Sequence, residues 1–537
     1  MKFNPHINPY PSKRNVVYAK QGMVATSQPL AAEVGRDILK AGGNAVDAAI
    51  AVAACLTVVE PTTNGIGGDA FAIVWMKGKL HGLNASGPAP KAITVADVKS
   101  QGHKQMPTFG WLPVTVPGTP SAWASLSEKF GVLSLSDVLA PAIGYAENGY
   151  PVTPTIAEYW QRTFDLYKTK MDPDEFSEWY KVFAPQGRAP IAGEIVKFPD
   201  HAKTLREIAA TNAHSFYEGR LAGEIVKASN SGGGFFTHDD LSEYEPSWVD
   251  PISINYRGYD VWELPPNGQG IIALTALNIL KKFDFTTVAT TITYHRQIEA
   301  IKMAFTDAKT AITDICEVDG QKLSKLLSSK YGNDSARKIN DEAAIIPKSE
   351  LAKGGTVYLA TADSDGNMVS YIQSNYMGFG SGIVIPGTGI AMQNRGADFS
   401  LDEEHPNVLA GGKKTYHTII PGFLTRDNQA IGPFGLMGGF MQPQGHVQLL
   451  INSIDFMTSP QTALDAPRFM WIEDDIVEVE AHFPTHIARE LMQKGHKIKI
   501  NPDEGPFGRG QIIWRDLETG VLMGATDPRC DGHVAVY

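Results

Sequence analysis

The triplet Gly354-Gly355-Thr356 combines residue types that could carry out self-cleavage and catalysis. If the chain were cut between Gly355 and Thr356, Thr356 would carry a hydroxyl nucleophile and a free α-amine on one residue. That amine, with a reference pKa of about 7.7–8.0, could take the hydroxyl proton, so no histidine would be needed. Glycine before the cut allows the backbone angles that attack on its own carbonyl requires. The same triplet also fits an ordinary turn at the start of a strand.

A predicted β-hairpin brings a second hydroxyl close to Thr356. Two segments rich in β-branched and aromatic residues flank Asp365-Gly366, which is a strong hairpin signal. A two-residue turn there would set Thr356 opposite Asn375, and a turn one residue earlier would set it opposite Gln373. Either register places Ser374 within one position of the residue opposite Thr356, where its hydroxyl could orient the proton of the nucleophile.

Other motifs in the sequence do not have the context that their chemistry needs. The GxGxxA match at 65–70 lies after a predicted helix and before a predicted strand, which is the reverse of a dinucleotide fingerprint. The histidines form no HExxH motif, and GxSxG is absent. The three cysteines are far apart without CxxC spacing, which excludes a disulfide framework and a cysteine-rich zinc site.

The predicted elements divide the chain near residue 354. Ser27 is the predicted N-cap of a first helix. Asn44 caps an Ala- and Val-rich helix that is apolar on most sides and therefore buried. The region 120–350 has mainly helical patterns, whereas strands and glycines dominate after 354. This shift is the best internal boundary in the sequence.

Composition and charge restrict the class of protein. The 537 residues include 47 Lys and Arg against 58 Asp and Glu, so the net charge is −11. An acidic chain without a basic block is a poor candidate for binding nucleic acid or an anionic membrane. The N-terminus has no apolar core of a signal peptide, and the run 48–59 is shorter than the roughly 20 residues that span a bilayer. We therefore expect a soluble, cytoplasmic protein.

Eight further features of the sequence are distinctive in their order along the chain: Gly22-Met23-Val24-Ala25, GGNAVDAAIAVAACLTVVEPTTNGIGGDAF (42–71), VPGTPSAW (116–123), Thr356 with Asp365-Gly366-Asn367, GFGSGIVIPGTGI (378–390), Asp398-Phe399, LMGGFMQPQGH (436–446) and GATDPR (524–529). In this order they resemble the γ-glutamyltransferase family of N-terminal nucleophile hydrolases, and most of all its signal-less branch. The resemblance implies an α+β fold, a four-layer αββα sandwich whose central sheets both subunits share. It also implies a precursor that cuts itself between Gly355 and Thr356 into a large subunit, 1–355, and a small subunit, 356–537.

The resemblance also implies roles for individual residues. Thr356 is the nucleophile, and Ser374 matches a hydroxyl residue that assists it. Gly438 and Gly439 match a glycine pair whose N–H groups form the oxyanion hole, since glycine lets the backbone approach the substrate closely. The residues implied to contact the substrate are Asp398, at its α-amine, and His417 and Thr418, near its carboxylate. No metal or cofactor is implied.

The sequence departs from the family pattern where the substrate carboxylate should bind. The arginine that clamps this carboxylate should lie near Ala85, where the sequence has no arginine. A bidentate clamp must then come from elsewhere, and Arg395 is the candidate, although a purely structural role fits it equally well. Two further departures are Tyr358, in place of a histidine, and Tyr376, in place of Asn or Glu.

These observations predict an N-terminal threonine amidohydrolase that forms an acyl-enzyme with a γ-glutamyl amide such as glutathione and passes it to water or an acceptor amine. Because the arginine clamp is missing, an amidohydrolase for another small acid amide, such as oxamate, is an alternative. A poorly processed, non-catalytic binding protein is a second alternative. The predicted partners are a small-molecule amide and the two subunits of one precursor, with no nucleic acid and no membrane. A dimer of processed heterodimers is left open.

Overall fold

The computed structural model describes residues 14–309, 311–344 and 355–537. Gly354, the first glycine of the predicted triplet, lies outside the described residues. The strands are β1 (Val17–Ala19), β2 (Met23–Thr26), β3 (Asp69–Met76), β4 (Lys79–Ala85), β5 (Tyr150–Pro151), β6 (Ile195–Val196), β7 (Ser247–Val249), β8 (Ile252–Tyr256), β9 (Tyr259–Glu263), β10 (Gly355–Ala362), β11 (Met368–Tyr376), β12 (Gly422–Arg426), β13 (Gln429–Met437), β14 (Phe469–Glu473), β15 (Ile476–Glu480), β16 (Lys497–Asn501), β17 (Arg509–Arg515), β18 (Leu522–Thr526) and β19 (His533–Val536).

The helices contain more residues than the strands do. The α-helices are α1 (Pro29–Lys40), α2 (Ala45–Val59), α3 (Val95–Ser100), α4 (Thr119–Phe130), α5 (Leu135–Asn148), α6 (Pro154–Lys170), α7 (Ser177–Phe183), α8 (Pro199–Thr211), α9 (His214–Tyr217), α10 (Arg220–Ser231), α11 (His238–Ser242), α12 (Gly270–Leu280), α13 (Thr291–Lys309), α14 (Gly320–Leu326), α15 (Ser329–Ala336), α16 (Met441–Leu450), α17 (Pro460–Asp465) and α18 (Thr485–Gln493). Short 3₁₀ turns lie at Ile315–Glu317, Arg395–Asp398 and Gly505–Phe507, and a π-helical turn lies at Ile451–Asp455. None of the described helices has the length and apolarity that crossing a membrane requires.

Two seven-stranded sheets form the centre of the molecule. The first has the order β1-β18-β17-β13-β12-β9-β8, and the second has the order β19-β2-β10-β11-β3-β4-β7. Both sheets therefore contain strands from before and after residue 355. The region 120–350 is mainly helical, as predicted, but it also supplies the edge strands β7 and β8 and the strand β9 beside β8, which the sequence analysis missed.

Side-chain alternation along β10 shows how the layers stack. Val357 and Leu359 pack into a core shared with α1 and α2, whereas Tyr358 and Ala360 pack into a second core between the two sheets. A third core joins the outer face of the first sheet to helices that include α12, α13 and α16. The order is helices, sheet, sheet, helices, which confirms the predicted four-layer αββα sandwich.

Helix α2 is central to the layer that covers the second sheet. All of its residues, 45–59, are buried, and Asn44 caps it together with Asp47 in a capping box, as predicted. The predicted cap of the preceding helix is wrong by one residue. Gln28 caps α1 with its side chain, because the hydroxyl of Ser27 instead donates to the carboxylate of Glu60 at 2.6 Å.

The β10–β11 hairpin has a register that lies between the two that the sequence predicted. Val357 pairs with Gln373 and Ala362 with Met368, whereas Gly355 pairs with Tyr376, so a bulge at Thr356 sets it opposite both Ser374 and Asn375. The two-residue turns were wrong because the loop has three residues, 364–366. Gly366 adopts a φ of +81°, the left-handed conformation that three-residue hairpins require.

Candidate active site

Thr356 and Ser374 lie side by side on the face of the second sheet that looks toward the first sheet. The Thr356 hydroxyl donates to Ser374 Oγ at 3.1 Å, and Ser374 Oγ donates to the carbonyl oxygen of Gly355 at 2.6 Å. The backbone N–H of Tyr376 donates to the same Oγ at 2.8 Å. Both hydroxyl residues are buried. Ser374 therefore contacts both the predicted nucleophile and the carbonyl that the nucleophile would attack.

The glycine pair Gly438-Gly439 approaches this point from the opposite sheet. A Cβ on Gly432 would lie 3.2 Å from Sδ of Met368, at the turn end of the β10–β11 hairpin, whereas a Cβ on Gly435 would overlap the ring of Tyr358 in β10. Strand β13 therefore crosses β10 in the opposite direction. Its continuation beyond Met437 reaches the level of Thr356, which lies two residues before Tyr358.

The backbone of this glycine pair is shaped to present its N–H groups. Gly438 and Gly439 have φ values of +135° and +60°, a region that favours glycine. Their carbonyl groups accept hydrogen bonds from Met441 N, Gln442 N and, at 2.9 Å, Gln269 Nε2. Within the described residues neither glycine N–H donates a hydrogen bond. The pair can therefore offer two N–H donors to an oxyanion.

Arg395 is completely buried against Tyr376 and has two nitrogens without a hydrogen-bond partner among the described residues. Its Nη1 donates to Thr418 Oγ1 at 2.8 Å and to Asp398 Oδ2 at 3.3 Å, and its guanidinium lies 4.0 Å from the ring centre of Tyr376. In the described part of the chain, Nε and Nη2 have no hydrogen-bond partner. These two atoms form the side of a guanidinium that binds a carboxylate in a bidentate manner.

Both carboxylate oxygens of Asp398 are engaged by protein groups. Tyr376 donates its hydroxyl to Oδ1 at 2.6 Å, and Arg395 approaches Oδ2. Burial raises the pKa of Asp398, and Arg395 and Tyr376 oppose that shift. Tyr376 itself has a φ of +75°, which is strained for a tyrosine and is typical of a functional site.

His417 does not point to this group, although Thr418 does. His417 Nε2 lies 3.1 Å from Asp69 Oδ2, and its Nδ1 accepts from Ile419 N at 3.3 Å. Burial lowers the pKa of His417 well below its usual value, so the ring is neutral and donates from Nε2. Burial also raises the pKa of Asp69 to about 7, against the opposing charge of Arg395. With both ring nitrogens used, His417 has none left for a ligand.

Asn375 is a residue at this site that the sequence analysis did not select. Its side chain is completely buried, and neither Oδ1 nor Nδ2 has a partner within the described residues. It lies against the glycine loop, since a Cβ on Gly65 would be 2.9 Å from its Nδ2. A single asparagine in a strand carries no sequence signal, and only its position beside Ser374 could have indicated it.

A cleft of about 710 Å³ reaches Tyr376 and Asp398 of this group. Tyr416, Phe440 and Lys309 are among its other lining residues. The structure thus brings Thr356 and Ser374 together, and places Arg395, Asp398 and Thr418 in a second cluster that Tyr376 connects to the first. The roles of these residues and of the glycine pair remain predictions.

One other cluster contains the residue types that bind metals. The side chains of His295, Glu299 and His496 converge, and all three are buried. Lys302 donates to Glu299 Oε1 at 2.8 Å, so an ammonium group already supplies a positive charge there. The same lysine and Glu299 hold the backbone of Ala344, which indicates a structural role.

This chain is similar to several known proteins over nearly its whole length. The model of the gamma-glutamyltranspeptidase family matches residues 31–537. A glutathione hydrolase-like YwrD proenzyme from Bacillus subtilis is 37% identical and covers 97% of this chain and 99% of its own. An oxamate amidohydrolase proenzyme from Klebsiella pneumoniae is 34% identical, covering 96% and 98%. The crystal structure of a cephalosporin acylase from Bacillus halodurans is 58% identical, covers 100% and 99%, and superposes with a TM-score of 0.95.

Proposed function

This chain belongs to the gamma-glutamyltranspeptidase family of proenzyme amidohydrolases and acylases. We propose that it cuts itself before Thr356 and then hydrolyses an amide of a small acid, a substrate that also carries a free carboxylate group. The observation that carries the proposal is the hydrogen-bond chain from Thr356 through Ser374 to the Gly355 carbonyl. These two hydrogen bonds connect the proposed nucleophile, Thr356, to a proton acceptor, Ser374, and connect Ser374 to the carbonyl group that Thr356 would attack.

The first reaction is an acyl shift within the chain. Thr356 Oγ attacks the carbonyl carbon of Gly355, and its proton passes through Ser374 Oγ to the amide nitrogen of Thr356. The C–N bond breaks, leaving an ester between Gly355 and the threonine oxygen, and a free amine on Thr356. Water then hydrolyses the ester to give the Gly355 carboxylate and the threonine hydroxyl. The products are the subunits 1–355 and 356–537.

The second reaction uses the new N-terminus. Thr356 Oγ attacks the carbonyl carbon of a substrate amide, and the α-amine takes the proton and delivers it to the leaving nitrogen. The N–H groups of Gly438 and Gly439 stabilise the oxyanion, a contribution worth about 3–4 kcal/mol per donor in hydrolases that have been tested. Water, or an acceptor amine, then releases the acyl group from Thr356.

The buried guanidinium of Arg395 supports a substrate with a carboxylate. Its open Nε–Nη2 edge matches the two oxygens of such a group. A γ-glutamyl amide such as glutathione is the first candidate substrate, in line with the glutathione hydrolase-like relative. Oxamate is the second, favoured by the same open edge and by the similarity to an oxamate amidohydrolase.

Intact mass spectrometry of the purified chain and of a Thr356→Ala variant tests the self-cleavage. We expect the wild-type chain to split between Gly355 and Thr356 during incubation, and the variant to stay whole. A panel of γ-glutamyl anilide, glutathione and oxamate then tests hydrolysis by the processed enzyme. A wild-type chain that stays whole and cleaves no amide would contradict the proposal and favour the non-catalytic alternative.

A further inference from the structure

Gln269 connects three parts of the proposed site through one side chain. It is completely buried, and its Nε2 donates to the carbonyl oxygens of Thr418 at 2.6 Å and of Gly439 at 2.9 Å. Its Oε1 accepts from the hydroxyl of Tyr416, a residue of the cleft wall, at 2.7 Å. Gly439 belongs to the proposed oxyanion pair, and the hydroxyl of Thr418 accepts from Arg395. One amide group therefore joins the proposed oxyanion hole to the neighbour of Arg395 and to the cleft wall.

The three partners allow only one orientation of the Gln269 amide. Carbonyl oxygens only accept hydrogen bonds, so both of them must face the NH₂ group. The hydroxyl of Tyr416 then donates to the amide oxygen. Burial raises the pKa of Tyr416 well above its usual value, so this donor keeps its proton. A carboxylate or an apolar side chain at position 269 cannot replace the amide, because it has no donor for either carbonyl.

The backbone of Gln269 is itself held by packed structure. Its N–H donates to the carbonyl oxygen of His417 at 3.0 Å, and it directly precedes α12, whose residues 270–280 are all buried. Gln269 lies in the proposed large subunit, whereas Gly439 and Thr418 lie in the proposed small subunit. The contact therefore runs from a packed helix start in one subunit to two backbone segments of the other.

The glycine pair needs such support, because glycine restricts its own backbone less than any other residue. Within the described residues, the other donors to the two carbonyl oxygens come from the turn that follows, where Met441 N bonds to Gly438 at 3.1 Å and Gln442 N bonds to Gly439 at 3.2 Å. Gln269 holds the Gly439 carbonyl from outside this turn. Since peptide groups are planar, fixing this carbonyl restricts rotation about the Gly439 backbone and limits how far its N–H can turn.

We infer that Gln269 is a positioning residue for amide hydrolysis, which holds the N–H donors of the glycine pair in the orientation that an oxyanion requires. Tyr416 in turn fixes the orientation of the Gln269 amide. This inference rests on the proposed amidohydrolase function and assigns part of its machinery to the large subunit. Because Gln269 acts through Gly439 and not on the substrate, its loss should lower kcat.

An isosteric carboxylate tests this position. Loss of an oxyanion donor costs about 10²–10³-fold in kcat, and we expect Gln269→Glu, which displaces the donors without removing them, to cost at least about tenfold. The probes are L-γ-glutamyl-4-nitroanilide and oxamate, and intact mass spectrometry gives the processed fraction to which each rate is normalised. An unchanged kcat in Gln269→Glu would overturn the inference.

Gln448→Glu is the matched control for this substitution. Gln448 is also buried, and its Nε2 donates to the carbonyl oxygens of Gln444 at 3.1 Å and of Phe469 at 2.9 Å. Both variants should be less stable than the wild type, because each leaves two buried carbonyl groups without their donor. The kcat of Gln448→Glu should nevertheless stay close to that of the wild type. An equal loss of kcat in both variants would contradict the inference.

The pH profile separates positioning from a loss of folding. Burial and the two carbonyl oxygens disfavour a carboxylate at position 269, so the carboxyl group introduced by Gln269→Glu has a pKa above the usual value of about 4.3. Its protonated form can donate to one of the carbonyls, whereas its ionised form can donate to neither. The ratio of variant to wild-type kcat should therefore fall as the pH rises from 5 to 8. A ratio that stays flat or rises would contradict the inference.

Tyr416→Phe is a second variant that keeps Gln269 in place. Without the hydroxyl, nothing fixes the orientation of the Gln269 amide, so kcat should fall severalfold. The same substitution in a Gln269→Met background should have almost no effect, because residues that act through one another are not additive. Losses that multiply in the double variant would contradict the link from Tyr416 through Gln269.

Hydrogen exchange needs no catalysis and distinguishes failure of this inference from failure of the proposed function. In the purified full chain, Gln269→Glu should accelerate exchange in peptides that cover 415–419 and 437–440, and Gln448→Glu should accelerate it in neither. If the wild type cleaves no amide, the amidohydrolase proposal fails, and this exchange pattern still supports the hold of Gln269 on the glycine pair. Unchanged exchange in Gln269→Glu overturns the inference.

Discussion

Ser374 donates its hydroxyl hydrogen to the carbonyl oxygen of Gly355 across 2.6 Å, while it accepts the hydroxyl hydrogen of Thr356 at 3.1 Å. One side chain therefore polarises the carbonyl and receives the proton of the group that would attack it. The N–H of Tyr376 fixes the position of the same oxygen. These contacts support a role for Ser374 in the proposed self-cleavage.

Substitution of Ser374 by alanine should slow self-cleavage. Loss of a positioned acid–base group costs about 10²–10⁴-fold in rate, and we expect a slowing of about 10²-fold here. Ser374→Thr keeps the hydroxyl and should cleave at a rate close to that of the wild type. Ser370→Ala is the control, because Ser370 lies on the same face of β11 but bonds to Tyr358. Intact mass spectrometry over time measures the rate of self-cleavage of the wild type and the three variants. Equal rates in Ser374→Ala and in the wild type would refute a role of Ser374 in self-cleavage.

The hairpin shows what the sequence could and could not predict. Its two strands, its Asp-Gly turn and the closeness of Ser374 to Thr356 follow from local patterns. The register cannot be predicted in this way, because the same sequence is compatible with a two-residue turn and with a three-residue turn. Only the fold decides, by placing Gly366 in the left-handed conformation and Thr356 opposite Ser374 and Asn375.

Contacts between distant parts of the chain limit the prediction of the substrate site. The family resemblance implied a substrate contact at His417, but the ring bonds to Asp69, 348 positions away, and so does not face Arg395 and Asp398. The open edge of Arg395 depends on Asp398 and Thr418 taking its other nitrogen. Tertiary packing decides which partner a buried polar side chain bonds to, and no periodic pattern in the sequence reveals that partner.

Gly438→Ala should reduce turnover more than it reduces stability. A side chain at a φ of +135° is strained, and its Cβ would lie 3.1 Å from Gly508 Cα, so the N–H groups of the pair would shift. We expect kcat to fall about 10²–10³-fold, as for loss of an oxyanion donor. Gly78→Ala is the control for strain, since Gly78 has a φ of +82° and open space around it. A similar kcat in both variants would exclude the oxyanion role.

Packing between the sheets should make Gly435 intolerant of a side chain. A Cβ there would lie 2.7 Å from Cδ2 of the buried Tyr358, so the strands β10 and β13 would have to separate. Overpacking of this kind costs about 1–3 kcal/mol. Gly223→Ala, in α10 with nothing within 4 Å, should instead be neutral or stabilise by about 0.5–1 kcal/mol. Denaturant midpoints compare the variants, and equal midpoints would contradict the inter-sheet contact.

The last prediction concerns a buried ion cluster at the end of β18. Asp527 is completely buried, and its two oxygens accept from Arg468 Nη2 at 2.6 Å and from Arg529 Nη1 at 3.0 Å. Burial alone would raise the pKa of Asp527, but the two arginines outweigh it and hold this pKa below its usual value. Asp527→Asn leaves two guanidinium groups against the single remaining carboxylate of Glu480, and breaking a buried pair costs about 3–5 kcal/mol.

The pH dependence of this loss follows from the sign of the shift. Because the folded pKa of Asp527 is lowered, its stabilisation is fully present above the unfolded pKa of about 3.9 and disappears as the pH falls through the folded pKa. The stability difference between wild type and Asp527→Asn should therefore be constant near neutral pH and shrink below about pH 4. Urea denaturation between pH 3 and 7, in a Thr356→Ala background that keeps one covalent chain, measures it. Asp427→Asn, at an exposed carboxylate, is the control, and a difference that grows on acidification would contradict the assignment.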